Sequence, residues 1–203
     1  MFLSYGGIVL PVILLLEAVT IIVFLERMIH LRRAEVDQSD FINGVCNVLS
    51  RGNIEEAIML CEETPGPVAA VVLTAIRNRT GSLSTLRDAV DNTGRAEISR
   101  LERRVIALAV NSQVAPLLGL LGTLLGVIYI VHAISVQTPL IQNTDMTVGL
   151  MRALVTTVAG LIVAITSHSM YALLMVRIER IVLDMEAAAS NIIAFFTPGD
   201  STS

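Results

Sequence analysis

The sequence predicts an all-α integral membrane protein: three transmembrane helices, with a polar helical region between the first and the second whose long helices run on from the membrane. Three observations lead there. Of the 203 residues, 54% are hydrophobic and mean hydropathy is +0.72, too apolar for an ordinary soluble domain. The apolar residues gather in three runs, each long enough at about 1.5 Å per residue to cross a hydrocarbon core. Arginine, which supplies all 14 of the Lys+Arg positions, is crowded to one side of those runs.

The first run covers residues 3–25, within a first segment 1–26, and ends in Glu26-Arg27, His30, Arg32 and Arg33. Pro11 is a candidate bend in its outer half. Glu17 lies ten residues before Arg27, so about 15 Å from that end of the span. An ionised carboxylate at such depth is costly unless paired or hydrated, which makes Glu17 a functional candidate. Three readings stay open for it: a protonated carboxyl hydrogen-bonded at a helix contact, contact with a polar lipid or protein group, and an ion relay. A structural or regulatory role is favoured over the relay. A cleavable leader is not expected, because the run lacks a basic stretch before it and a small-residue cleavage site after it.

Residues 27–106 are polar with a helical pattern. Val36, Phe41, Val45, Val48 and Leu49 recur at near-helical spacing up to a stop at Gly52-Asn53. A second helix is expected over 54–61, with Glu55 and Glu56 favourable to its N-terminal dipole. Pro65-Gly66-Pro67 breaks it, and 68–79 reads as a short apolar helix that must bury itself. After the turn at 80–82, Ser84 is the expected N-cap of a long helix starting near Leu86. With no breaker before the second span, that helix and the span (107–135) are expected to form one rod of about 70–80 Å, with Pro116 as its candidate kink.

Residues 112–135 carry no charge at neutral pH, and their small residues are ordered. Gly119, Thr123 and Gly126 fall on one helical face and Gly122 widens it, while Leu117, Leu121, Leu124, Leu125 and Ile128 cover much of the rest. Small residues let helix backbones approach closely in lipid, so this face marks helix–helix packing. Thr123 bonds its own backbone in one reading and lines a polar path in the other. A short polar loop (136–147) holding Pro139, Asn143 and Asp145 leads to the third span, 148–176. There Gly149, Ala153, Thr157, Gly160, Ala164 and Ser167 form a small-residue stripe, with Thr156 beside it. Gly119, Gly122, Gly126, Ala153, Gly160 and Ala164 are the expected packing positions at a subunit interface. The final segment, 177–203, reads as an amphipathic helix over 181–196 and a polar disordered tail.

Eleven arginines fall in 26–104 and two, Arg177 and Arg180, follow the third span, while the 136–147 loop has none. By the positive-inside rule the N-terminus is outside and the insertion and C-terminus are cytoplasmic. Cys46 and Cys61 match no metal or redox spacing and read as free thiols in a reducing compartment. His30, His132 and His168 share no helical spacing, so no metal site is expected. The net charge of −4 gives no basic footprint for nucleic acid. No nucleophile–base set, phosphate loop or dinucleotide fingerprint is present, so no catalytic residue, cofactor or enzymatic activity is expected.

The stretch APLLGLLGTLLGVI at 115–128 resembles the signature of the MotA/TolQ/ExbB proton-channel family, nearest its ExbB/TolQ branch. Other stretches share the resemblance: Glu26-Arg27 with His30; Gly52-Asn53-Ile54-Glu55-Glu56-Ala57 with Cys61 and Pro67; Glu97 and Leu101-Glu102-Arg103; and Ala153 through Leu161. Motor-type MotA subunits have four spans and a larger cytoplasmic region, so that branch fits less well. The resemblance implies a bacterial inner-membrane protein, its N-terminus periplasmic. It implies a pentamer around a pair of single-span ExbD/TolR-like partners that bring an intramembrane aspartate. It also implies that Thr123 and Thr157 line the cavity facing that aspartate, with Thr156 beside them, and that proton flow energises an envelope process through a TonB- or TolA-like protein.

One position departs from the pattern. Arg152 stands where ExbB has a glutamate. Arg152 is either an interfacial arginine snorkelling outward to meet Asp145, or a charge that tunes the cavity field or contacts the partner. The departure keeps a second function open, a membrane scaffold that oligomerises without conducting ions.

Overall fold

The computed structural model describes residues 9–34, 38–103, 105–136 and 143–197. These form seven helices: α1 (Val9–Ala34), α2 (Gln38–Ser50), α3 (Ile54–Glu63), α4 (Pro67–Arg77), α5 (Leu83–Glu102), α6 (Ile106–Val136) and α7 (Asn143–Phe196). No strand occurs among the described residues. Three stretches, in Val9–Ile29, Leu83–Ser135 and Met146–Phe196, are long and apolar enough to cross a membrane. The chain is therefore an all-α membrane protein. The start of the first span, half of the 136–147 loop and the end of the tail lie outside the described residues.

The chain divides into two compact units, one made of residues 1–26 and 104–173 and the other of 27–103 and 174–203. In the first, α1, α6 and α7 meet at Ile13, Ala115 and Val163, with Val9, Leu118, Ala159 and Ala164 packed around them. Its outer surface stays apolar: Leu117 is 62% exposed and Ile165 66%. A helix bundle in lipid has that exterior, because hydrocarbon replaces water around it.

In the second unit the apolar residues turn inward. Leu174, Ile178, Ile181, Met185, Ala188 and Ile192 of α7 are all buried, at steps of four and three, the spacing of a packed helical seam. The short α4 is buried on most of its surface (Val68, Ala69, Val71, Val72, Ala75 and Ile76), as its nearly continuous apolar sequence requires. Gly52 adopts φ +80° at the turn between α2 and α3, a conformation that a side chain would oppose. Pro67 opens α4 at a position where a missing N–H costs nothing.

One sequence expectation is corrected. The N-cap of α5 is Ser82, whose hydroxyl accepts from Thr85 N at 3.2 Å, not Ser84, because Ser82 holds the extended backbone that a cap needs. α5 is described to Glu102 and α6 from Ile106, and Arg104 between them lies outside the described residues. α7 runs unbroken from the third span through the C-terminal helix, as the expected long helices do. Pro116 lies inside α6.

Candidate functional site

The small-residue faces meet each other within the chain. α6 and α7 run antiparallel, so contacts climb one helix as they descend the other. A Cβ on Gly160 would lie 2.7 Å from Ala115 O and 3.0 Å from Gly119 Cα; one on Gly119 would meet Thr157 Cα at 3.3 Å. A Cβ on Gly122 would collide with the Thr156 side chain, one on Gly126 would reach Ala153 Cβ and Gly149 O at 2.9 Å, and one on Gly149 would strike Ile130. Backbone lies on backbone along this seam, which only glycine permits.

Gly119, Gly122, Gly126, Ala153 and Gly160, expected at a subunit interface, make close approaches inside one chain, where all five are buried. Ala164 packs on the core around Ile13. The periodicity located the packing face correctly, but a face does not name its neighbour.

The threonines divide by the same geometry. Thr156 is 2% exposed, wedged against Gly122, and its hydroxyl donates back to Arg152 O (2.9 Å) or Ala153 O (3.0 Å). The Thr156 side chain is thus enclosed between two helices of one chain. Thr157, one residue on and about 100° round the helix, is half-buried. Its hydroxyl reaches Ala153 O at 3.0 Å and, across the seam, Gly119 O at 3.4 Å. Thr123 is also half-buried, and it donates to Leu120 O at 2.6 Å, the back-bonding expected of a threonine in an apolar helix. Thr123 sits between Gly122, which packs on Thr156, and Gly126, which packs on Ala153, while Thr157 faces Gly119, one turn of α6 before Thr123. Thr123 and Thr157 thus stand about one helical turn apart at this level of the seam, each with part of its surface open.

Arg152 lies beside this level. Its Cζ stands 4.8 Å from the centroid of the Tyr129 ring of α6, in the range of a cation–π contact. Its Nε is shielded and has no hydrogen-bond partner. Tyr129 was not foreseen as a partner; it lies 23 residues before Arg152 across the turn between the spans, and spacing alone does not pair them. The Asp145 side chain lies outside the described residues, and so does that of His30.

A second polar group gathers around Glu17 and Thr20, with partners that the sequence did not name. Glu17 Oε1 lies 2.9 Å from Thr166 Oγ1. Nearby, Thr20 Oγ1 donates to Leu16 O (2.9 Å) and accepts from Asn111 Nδ2 (2.9 Å) and Ser167 Oγ (3.5 Å). Depth was the available signal. Thr20 lies seven residues before Arg27 and Asn111 seven after Arg104; Glu17 lies ten before Arg27 and Ser167 ten before Arg177. Polar residues at matched depth in hydrocarbon find one another.

Among the described residues, no three His, Cys, Asp or Glu side chains gather as metal ligands. Cys46 and Cys61 are free thiols. Burial, then the neighbouring Glu62, pushes the Cys61 thiol up to about 11, and burial also raises Cys46.

Three apolar helices closed on a seam of glycines define a helical membrane protein. Residues 63–187 match the model of the MotA/TolQ/ExbB proton channel family, and the chain belongs to that family, in its ExbB-like branch. It is 29% identical over 86% of its length to a putative biopolymer transport protein ExbB homolog of Methanothermobacter thermautotrophicus, covering 62% of that protein. It is 30% identical over 80% of its length to a putative biopolymer transport protein ExbB-like 3 of Synechocystis, covering 78% of it. A biopolymer transport protein ExbB of Aquifex aeolicus is 37% identical over 43% of this chain and 58% of its own length. The chain thus spans about three fifths of the length of the first and third of these relatives.

Proposed function

We propose that the chain is the ring-forming subunit of an inner-membrane proton channel that turns the proton motive force into work on an envelope process such as TonB-dependent transport. The reading is supported most by one observation: in a member of this family, Thr157 and Thr123 stand half-buried about one helical turn apart on a seam of close glycine contacts. In this reading several copies, five by resemblance to the family, surround single-span partners of the ExbD/TolR kind. The partner's intramembrane carboxylate takes protons handed along the Thr123 and Thr157 hydroxyls, each of which both donates and accepts. The N-terminus faces the periplasm and the arginine-rich region the cytoplasm. Work is delivered through a TonB- or TolA-like protein. The chain supplies a wall and a field, and it performs no bond-making chemistry.

Arg152 has a role here. Held over Tyr129, its guanidinium places a positive charge near the outer end of the path. A fixed cation there raises the local potential felt by any positive charge entering, the proton included, and so tunes the field of the path.

Proton uptake by liposomes containing the chain and its single-span partner tests the proposal. Wild type should take up protons only with the partner present. Thr157→Ala, which removes a hydroxyl without adding bulk, should assemble normally and lose most of that flux. Full flux in Thr157→Ala would remove Thr157 from the path. No flux in an intact wild-type complex would make the chain a non-conducting scaffold.

A further inference from the structure

Arg152 is a cation in the apolar layer whose charge the described residues do not answer. It stands six residues after Met146, where the third apolar stretch begins, so about 9 Å along the helix from that end. Its guanidinium lies on the Tyr129 ring, with Cζ 4.8 Å from the centroid. Its Nε is shielded and donates to nothing. No carboxylate among the described residues lies within ion-pair distance of it. A ring face offsets only part of the cost of holding a charge in hydrocarbon. Arg152 keeps part of its surface open, and Tyr129 is exposed beside it. The ring forms a floor, and the rest of the guanidinium is left for an anion from outside the described residues.

The side of the bundle selects the kind of anion. At about 100° per residue, Arg152 stands about 140° round α7 from Thr157, and Tyr129 about 120° round α6 from Thr123. The seam lies between them on both helices, at Ala153 and Thr156 on α7 and at Gly122 and Gly126 on α6. Arg152 and Tyr129 therefore share the flank opposite the two threonines, as their contact requires. It is the flank that α1 covers further along. Ala159 and Val163 fall within about 20° of Arg152 on the helix, and both belong to the cluster around Ile13. A carboxylate that met the threonines would stand on the other side. At this depth a long side chain reaches the headgroup layer, and the oxyanion that a bilayer itself supplies there is the phosphate of its lipids.

We propose that Arg152 and Tyr129 bind the phosphate of a membrane phospholipid, the ring supporting the guanidinium while its terminal nitrogens donate to the phosphate oxygens. The site lies outside the Thr123 and Thr157 wall and does not depend on whether that wall conducts. A bound phosphate answers the charge of Arg152 and so sets how much of its field reaches the path.

Native mass spectrometry of the full chain in a phosphate-free detergent, titrated with phosphatidylglycerol, reads the lipid retained. Arg152→Gln should weaken the tightest binding by about tenfold, the size of one charge-assisted contact. Arg152→Lys keeps the charge but loses the fork, and Tyr129→Leu keeps the arginine but loses its floor. Each should bind between those limits. Diacylglycerol with the same chains should bind wild type and Arg152→Gln equally, because it has no phosphate. Inorganic phosphate that competed as well as the lipid would make the occupant a free anion and overturn the lipid assignment. Equal phosphatidylglycerol binding by wild type, Arg152→Gln and Tyr129→Leu would overturn the site. Tighter binding in Asp145→Asn would overturn it as well, since Asp145 would then already answer the charge. Displacement of the lipid by the single-span partner would give the site to a partner carboxylate instead.

Discussion

The two units solve the same problem, holding helices together, with opposite residues. In the unit built from α6 and the first part of α7, the contact positions are Gly119, Gly122, Gly126, Gly149 and Gly160, while leucine and isoleucine face outward. In the other, Leu174, Ile178, Ile181, Met185 and Ile192 are buried and the surface carries the charges. The difference is one of solvent. Water drives large apolar side chains into contact because their burial removes apolar surface from it. Hydrocarbon is as apolar as leucine and gives no such drive, so helices there associate by close van der Waals contact, which small residues allow.

The same substitution should therefore act in opposite senses in the two units. Gly122→Ala puts a methyl into the Thr156 side chain, with the backbone of both helices resisting a shift. The expected loss is at the upper end of about 1–3 kcal/mol, and larger still for Gly122→Leu. Gly94→Ala in α5 meets only Met185 Cε at 3.9 Å, ordinary contact with a flexible tip, and removes a glycine from a helix interior. A gain of about 0.5–1 kcal/mol is expected. Thermal unfolding of the two variants in the same detergent gives the comparison. Equal behaviour would mean that the seam is looser than these contacts make it.

A second contrast uses two isoleucines of α7. Ile178 is 1% exposed in the water-side unit, and Ile178→Ala should cost about 2–5 kcal/mol through lost burial and a residual cavity. Ile165 is 66% exposed, and Ile165→Ala should change the stability of the single chain by no more than about 0.5 kcal/mol. A large loss at Ile165 would reveal that its face is covered, by a second copy or by the partner, and would turn the contrast into a map of the assembly.

How far the fold was legible follows from what periodicity encodes. Three apolar runs and a small-residue stripe are properties of one helix at a time, and they were readable. Whether Gly122 meets a helix of its own chain or of another is a property of a pair, and periodicity is silent on it. Thr156 and Thr157 differ by one step on the helix, and which of them is enclosed depends on the rotation that the glycine seam imposes. The Glu17–Thr166 contact joins residues 149 apart, and only their common depth hinted at it. Site residues set by one helix were visible; those set by the meeting of two were not.

The smallest expected effect uses the cysteines as probes of the water-side unit. Cys61 is 3% exposed, and its thiol is held up to about 11 against an ordinary 9.0 by burial and then by Glu62. Below pH 9 its thiolate fraction is then roughly a hundredfold lower than that of the unfolded chain, and the thiolate is the nucleophile. Cys46 is only half-buried and raised by burial alone. In native protein at pH 8, an alkylating reagent should therefore modify Cys46 well before Cys61, and denaturant should erase the difference. The same shift fixes a sign for stability. Because the unfolded thiol ionises first, the folded state holds more protons between pH 9 and about 11, and stability falls as pH rises through that window. Cys61→Ala should remove that fall. If Cys61 were instead labelled as fast as Cys46, the layer of α3 and α4 would be opening on the timescale of the reaction, and the contrast between a water-built core and a lipid-built seam would have to be redrawn at that layer.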